Sequence, residues 1–303
     1  MYQEIAFDPR CLEEFHYYGL LKTEFGFEKG RYIVAPVKPW AKEAFKAAKN
    51  SVQLKPVQRK SITNYLNKLQ REKTNRFILL PKYRRDSIDP CWNNWCEKQI
   101  ALAPFQNIIS ENFQGAINYN DILERSESWL IRPTITIDKN VIAITSIIKP
   151  LMKLGGIITI VDQYFRLAEN RVLDEILGEA NSSSCISSIK LVTSIHTANP
   201  EQSFAAQYRD KYTNLPCFEL VIVPERFFHD RYIITSFGAI KGGHGFSEAI
   251  TQGAQADKLS ISLCGESEAK EVLDWIDKVV KSEKAKCYIL NDETPILRLK
   301  HTQ

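Results

Sequence analysis

The stretch "FHDRYIITSFGAIKGGHGF" (Phe228 to Phe246) contains the chain's densest set of residues that could do chemistry. His229, Asp230 and Arg231 stand directly before an apolar run, which reads as a β-strand. Side chains alternate along a strand, so His229 and Arg231 fall on one face and Asp230 on the other. An imidazole and a cation two residues apart can share one phosphate, the ring at the phosphorus and the cation on its oxygens. Arginine adds a planar two-pronged grip where lysine offers a point charge. After the strand, Lys241, Gly242, Gly243, His244 and Gly245 read as a loop whose glycines let backbone N–H groups approach a phosphate closely. The same residues have a plainer reading. His229 would then be a packed strand histidine, Arg231 a partner of Asp162 or Glu225, and the glycines the turn of a hairpin.

The elements around this stretch must hold it in place. From about Ser128 the sequence alternates strand and helix patterns. "LIRPTITID", "GIITIVDQYF", "ISSIKLVTSI", "CFELVIVPE", "RYIITSFG" and "KLSISLCG" read as strands. Between and after them, "NVIAITSIIKPLMKLG", "LAENRVLDEILGE", "NPEQSFAAQYRDKYTN" and "SEAKEVLDWIDKVVKSE" have the periodicity of helices. This pattern predicts an α/β fold, a mixed sheet with helices on both faces. In such sheets, polar residues at strand ends gather in a crevice, and Asp162 ends one of the apolar strands.

The order of elements and the strand-borne His-x-cation resemble one half of the phospholipase D superfamily, over roughly residues 128–290. That family's signature is His-x-Lys, then Asp, then a Gly-Ser-x-x-Asn stretch. Here His229 matches the histidine, Arg231 stands for Lys and Ser236 for Asp. Gly243 keeps the glycine, His244 replaces Ser, and Phe246 stands near Asn. The texture is more similar still to a degenerate, single-motif branch with "HDR" before a strand. That branch includes C-terminal domains that follow microtubule-interacting-and-trafficking domains, and bacterial proteins with a preceding D-x-Y-F, here Asp162 to Phe165.

The resemblance implies a metal-independent phosphodiesterase or nuclease without cofactor, in a setting of bacterial defence or mobile elements. It implies His229 as nucleophile or general acid, Arg231 and Lys241 on phosphate oxygens, and His244 or Asp162 assisting. One motif per chain implies a homodimer in which two copies of His229 meet, unless His244 supplies the second imidazole. Serine at 236 removes a group expected to orient the partner histidine or its cation. The alternative is a catalytically inactive polyanion- or phospholipid-binding and assembly module with an unidentified protein partner.

The first 125 residues show no such resemblance and form a separate expected domain, residues 1–125 against 126–303. Their charge is informative. Between Lys29 and Arg85 there are 16 Lys or Arg against two acids, although the net charge of the chain is only +4. Clustered cations attract polyanions and release counterions on binding. Lys60, Lys68, Arg71, Lys73, Arg84 and Arg85 are therefore the candidate nucleic-acid contacts. "SITNYLNKLQREK" reads as a helix capped by Ser61, with Ile62, Tyr65, Leu66 and Leu69 as its apolar stripe. Helix, helix and strand with basic faces fit either a small winged-helix-like unit or an ordinary α/β cap. Cys91 and Cys96 have no second close pair, so a zinc site is not expected and the tryptophans between them read as packing.

Composition sets the outer bounds. The chain has 303 residues, 44% of them hydrophobic and 25% charged, which is ordinary for a globular protein. The start lacks a basic, apolar leader, and no apolar run reaches the roughly 18–20 residues that span a bilayer. Seven cysteines without framework spacing suggest reduced thiols, hence a cytoplasmic location. The lack of an apolar amphipathic anchor argues against a membrane surface.

Overall fold

A computed structural model describes residues 1–71, 76–86, 89, 91–224, 229–248 and 257–291. The chain divides into two compact units, Met1–Arg132 and Pro133–Gln303. Both are α/β.

The first unit begins with β1 (Gln3–Phe7), α1 (Phe15–Thr23), β2 (Arg31–Val34), α2 (Val37–Asn50) and α3 (Pro56–Leu69). It continues with β3 (Ile78–Leu79), α4 (Trp92–Leu102), β4 (Asn107–Ile109) and α5 (Tyr119–Leu123). The four strands form one parallel sheet in the order β3-β2-β1-β4, so the basic segment belongs to an α/β layer and not to a winged helix. Parallel strands are covered on both sides, and accordingly every residue of β2 is buried. Phe7, Tyr17, Phe25 and Trp40 meet around the end of β1 to form the aromatic centre of the core. Helix α3 starts at Pro56, five residues before the expected cap at Ser61, because proline is pre-set for a first helical turn. Its buried face is Ile62, Leu66 and Leu69. Trp92 and Trp95 are buried in α4, and Cys91 and Cys96 are free thiols.

The second unit opens with β5 (Thr134–Asp138), α6 (Val141–Leu154), β6 (Gly156–Val161), α7 (Arg171–Ser183) and β7 (Ile186–Thr193). Next come α8 (Pro200–Phe204) with a π-turn at Ala205–Arg209, β8 (Cys217–Ile222), β9 (Arg231–Thr235) and β10 (Gly238–Gly242). β11 (Lys258–Cys264), α9 (Glu266–Lys281) and β12 (Lys286–Asn291) complete it. The eight-stranded sheet runs β12-β8-β7-β6-β9-β10-β11-β5. β6, β7 and β8 are parallel, and the pairs from β9 to β5 are antiparallel. Crossovers between parallel strands are right-handed. The steps β5-α6-β6, β6-α7-β7 and β7-α8-β8 all move the same way across the sheet, so their helices share one face. β11 and β12 point oppositely, which puts α9 on the other face.

Two features depart from the sequence pattern. Residues 238–242 are not a loop but strand β10, joined to β9 by a tight turn at Ser236 and Phe237. A short edge strand, β12, pairs with β8. No described helix is long and apolar enough to cross a membrane.

Candidate functional site at the carboxyl end of β6

The candidate site lies where β6 ends, β9 begins and β10 ends. Asp162 follows β6 directly and is 1% exposed. Its Oδ1 accepts the Tyr164 N–H (3.0 Å) and its Oδ2 accepts the Phe246 N–H (2.8 Å). Burial pushes this carboxyl above its usual range. The two N–H groups and the nearby charges of Arg231 and Lys139 offset part of that shift. Asp162 thus ties the 243–246 loop to the end of β6. Gly245 has to be glycine there, because its φ is +80° and a Cβ would lie 2.8 Å from Asp162 Oδ2.

Arg231 opens β9 and pairs across the ladder with Gly242. Its Nη1 donates to the carbonyls of His229 (2.6 Å) and Gly243 (3.1 Å). Its Nε–H is buried and has no acceptor. Its guanidinium lies 5.7 Å from the ring centre of Tyr164, a side chain 62% exposed. Lys139, between β5 and α6, donates to the His244 carbonyl (2.8 Å). Burial holds the Lys139 ammonium below its ordinary range and Arg231 lowers it further, with Asp162 acting in the opposite sense. Lys139 was invisible in the sequence. It follows an isolated strand far from the motif, and only the β11–β5 pairing carries it to this end of the sheet.

The expected residues separate into two groups. Asp162, Arg231, Gly242, Gly243, His244 and Gly245 gather at the crevice, with exposed His229 at its rim. Lys241 does not join them. It pairs with Tyr232, one position out of phase with Arg231, and so projects from the opposite sheet face. There it meets Asp230 (2.9 Å) and Glu268 of α9 (3.0 Å), while the Tyr232 hydroxyl also donates to Glu268. Asp230 first, and Glu268 with it, raise the Lys241 pKa. Lys241 therefore braces α9 and does not face the crevice. Ser236 also changes meaning. It sits in the turn at the far end of β9, about 16 Å along the strand from Arg231 at roughly 3.3 Å per residue. No residue at that position could orient His229 directly.

The basic residues of the first unit are similarly divided. Lys60, Lys68 and Arg71 are exposed on and just after α3, and Arg85 is exposed with its Nε bonded to the Leu80 carbonyl. Arg84 is not a surface cation. It is 0% exposed, bonded to Glu4 (2.7 Å) and to the carbonyls of Gln99 and Ala103. Lys73 and Glu225 lie outside the described residues.

The fold and site together define an α/β protein with Arg231, Lys139 and the buried Asp162 gathered at the strand ends of its larger sheet. Compared with known proteins, the chain matches no family model and no curated sequence.

Proposed function

We propose that the second unit is a phospholipase D-like module that handles a phosphodiester, and that its ligand is nucleic acid. The observation that carries this is the orphaned Nε–H of Arg231. Buried donors in native structures are almost always paired, and an unpaired charged donor costs more than a neutral one. A phosphate oxygen beside Tyr164 would satisfy it, and its charge would also relieve the mutual repulsion of Arg231 and Lys139. Two things favour nucleic acid over a simple phosphate. Tyr164 offers an exposed ring on which a base can stack next to the phosphate-binding cation. Lys60, Lys68 and Arg71 supply exposed charge for further backbone contacts.

In this reading Arg231 and Lys139 hold phosphate oxygens. His229 attacks the phosphorus, the bond to the leaving oxygen breaks as His244 protonates it, and water then hydrolyses the phosphohistidine to free His229. Asp162 and Gly245 position the loop and do not touch the substrate. The turnover would need no metal and would occur in the cytoplasm. A non-hydrolytic polyanion-binding module is the second reading. It is favoured by the lack, among the described residues, of any hydrogen bond that orients the His229 or His244 ring.

Purified wild type and His229→Ala are incubated with labelled single- and double-stranded DNA and RNA in EDTA. Cleavage lost in the variant supports the enzyme. Salt-sensitive gel shifts without cleavage support the binding module. Neither cleavage nor shifts would overturn both.

A further inference from the structure

A second cluster lies in the first unit, at the opposite end of the sequence from the crevice and independent of it. The sheet order places β1 beside β4 at the point where the chain reverses its direction of winding, and ligands gather at such points. Glu14 occupies the N-cap position of α1 without a side-chain capping bond, His16 stands in its first turn, and Glu111 follows β4 by two residues. One ligand atom from each lies within 4.8 Å of the others. Donors at about 2.1 Å on a tetrahedral or octahedral cation stand roughly 3.0–3.5 Å apart, so side-chain rotation of about an ångström draws the three groups onto one ion.

The surroundings orient these groups. The His16 ring sits against Tyr17 (4.6 Å between ring centres) and Tyr119 (4.1 Å). The Tyr119 N–H donates to the Tyr17 oxygen (2.9 Å), which leaves the Tyr17 proton for Glu111, to which it is hydrogen-bonded. That donation from a second layer is how metal-binding carboxylates are commonly held. His16 Nε2 is shut off from solvent without a hydrogen-bond partner, 3.4 Å from a Glu14 oxygen. An imidazole nitrogen and two carboxylates therefore converge, and among the described residues no Lys or Arg is bonded to them. Such an arrangement favours a cation at its centre.

We propose that Glu14, His16 and Glu111 bind a divalent first-row transition cation such as manganese or zinc. The imidazole selects against magnesium and calcium, which prefer all-oxygen shells. Three protein ligands leave coordination positions open to water, as in a reactive site and unlike a closed structural one.

Manganese is the better probe, because the exposed thiols of Cys91 and Cys287 would also take up zinc. Chelator-stripped, dialysed full-length protein is titrated with MnCl2 and free manganese is read by electron paramagnetic resonance. Magnesium is then added as competitor. The expected result is one equivalent bound, affinity at least tenfold weaker in Glu111→Gln and His16→Ala, and no displacement by equimolar magnesium. Glu111→Gln is an exposed, isosteric change, so it reports even if His16→Ala folds poorly. No stoichiometric binding by the wild type, or equal binding by Glu111→Gln, would overturn the proposal.

Discussion

At the scale of single residues, the behaviour of each charge follows from whether it is buried and what faces it. Asp162 is raised by burial in the folded state, so over the window between its ordinary value near 3.9 and its folded value the native state holds more proton than the unfolded one. Stability then falls as pH rises through that window. Asp162→Asn removes this titration, so the stability of wild type relative to the variant should decline from about pH 4 upward in denaturant titrations. A difference that stays flat with pH would contradict the assignment. Arg84→Ala should cost about 3–5 kcal/mol, because it strands the Glu4 carboxylate, whereas Lys68→Ala should stay within about 0.5 kcal/mol. The sequence showed Arg84 only as one cation in a basic run. Its burial depends on Glu4, which is 80 positions away in the chain.

At the scale of elements, alternation along β9 was legible in the sequence, since Arg231 and Asp230 do fall on opposite sides. What it could not show was β10. A run of glycines around Lys241 reads as a loop, and only the pairing with β9 reveals that Lys241 has switched faces. The helix patterns were stronger signals, since α6, α7 and α9 each carry a full apolar stripe. Helix α6 ends where Gly155 takes φ +91°, with a Cβ there only 3.0 Å from the Cys185 carbonyl. Two neighbouring glycines give a direct test of the crevice loop. Gly245→Ala should destabilise the second unit by about 1–2 kcal/mol or more through backbone strain alone and weaken ligand binding. Gly243→Ala, where a Cβ meets nothing within 4 Å, should leave both nearly unchanged. Thermal melts and oligonucleotide titrations on the pair would check this, and equal behaviour would count against the loop's role.

At the scale of the whole molecule, two α/β units carry separate sources of positive charge. If both contribute to nucleic-acid binding, removing Lys60, Lys68 or Arg71 should reduce the slope of log affinity against log salt by about one for each cation lost, with little sequence preference. Tyr164→Ala should behave differently, weakening oligonucleotide binding by about 1–3 kcal/mol while leaving pyrophosphate binding nearly unchanged. The charge asymmetry that suggests a polyanion was plain in the sequence. The three-residue cluster of Glu14, His16 and Glu111 was not, because Glu111 joins the other two only when β4 returns beside β1.

The most direct measurement is a calorimetric titration of pyrophosphate and of a short single-stranded oligonucleotide into wild type, Arg231→Ala and Lys241→Ala. Arg231→Ala should lose at least tenfold in affinity for both ligands, and Lys241→Ala, whose side chain lies on the other face of the sheet, should change less than twofold. Equal losses in the two variants, or an Arg231→Ala protein that binds as well as wild type, would contradict the assignment of Arg231 as the phosphate-binding cation.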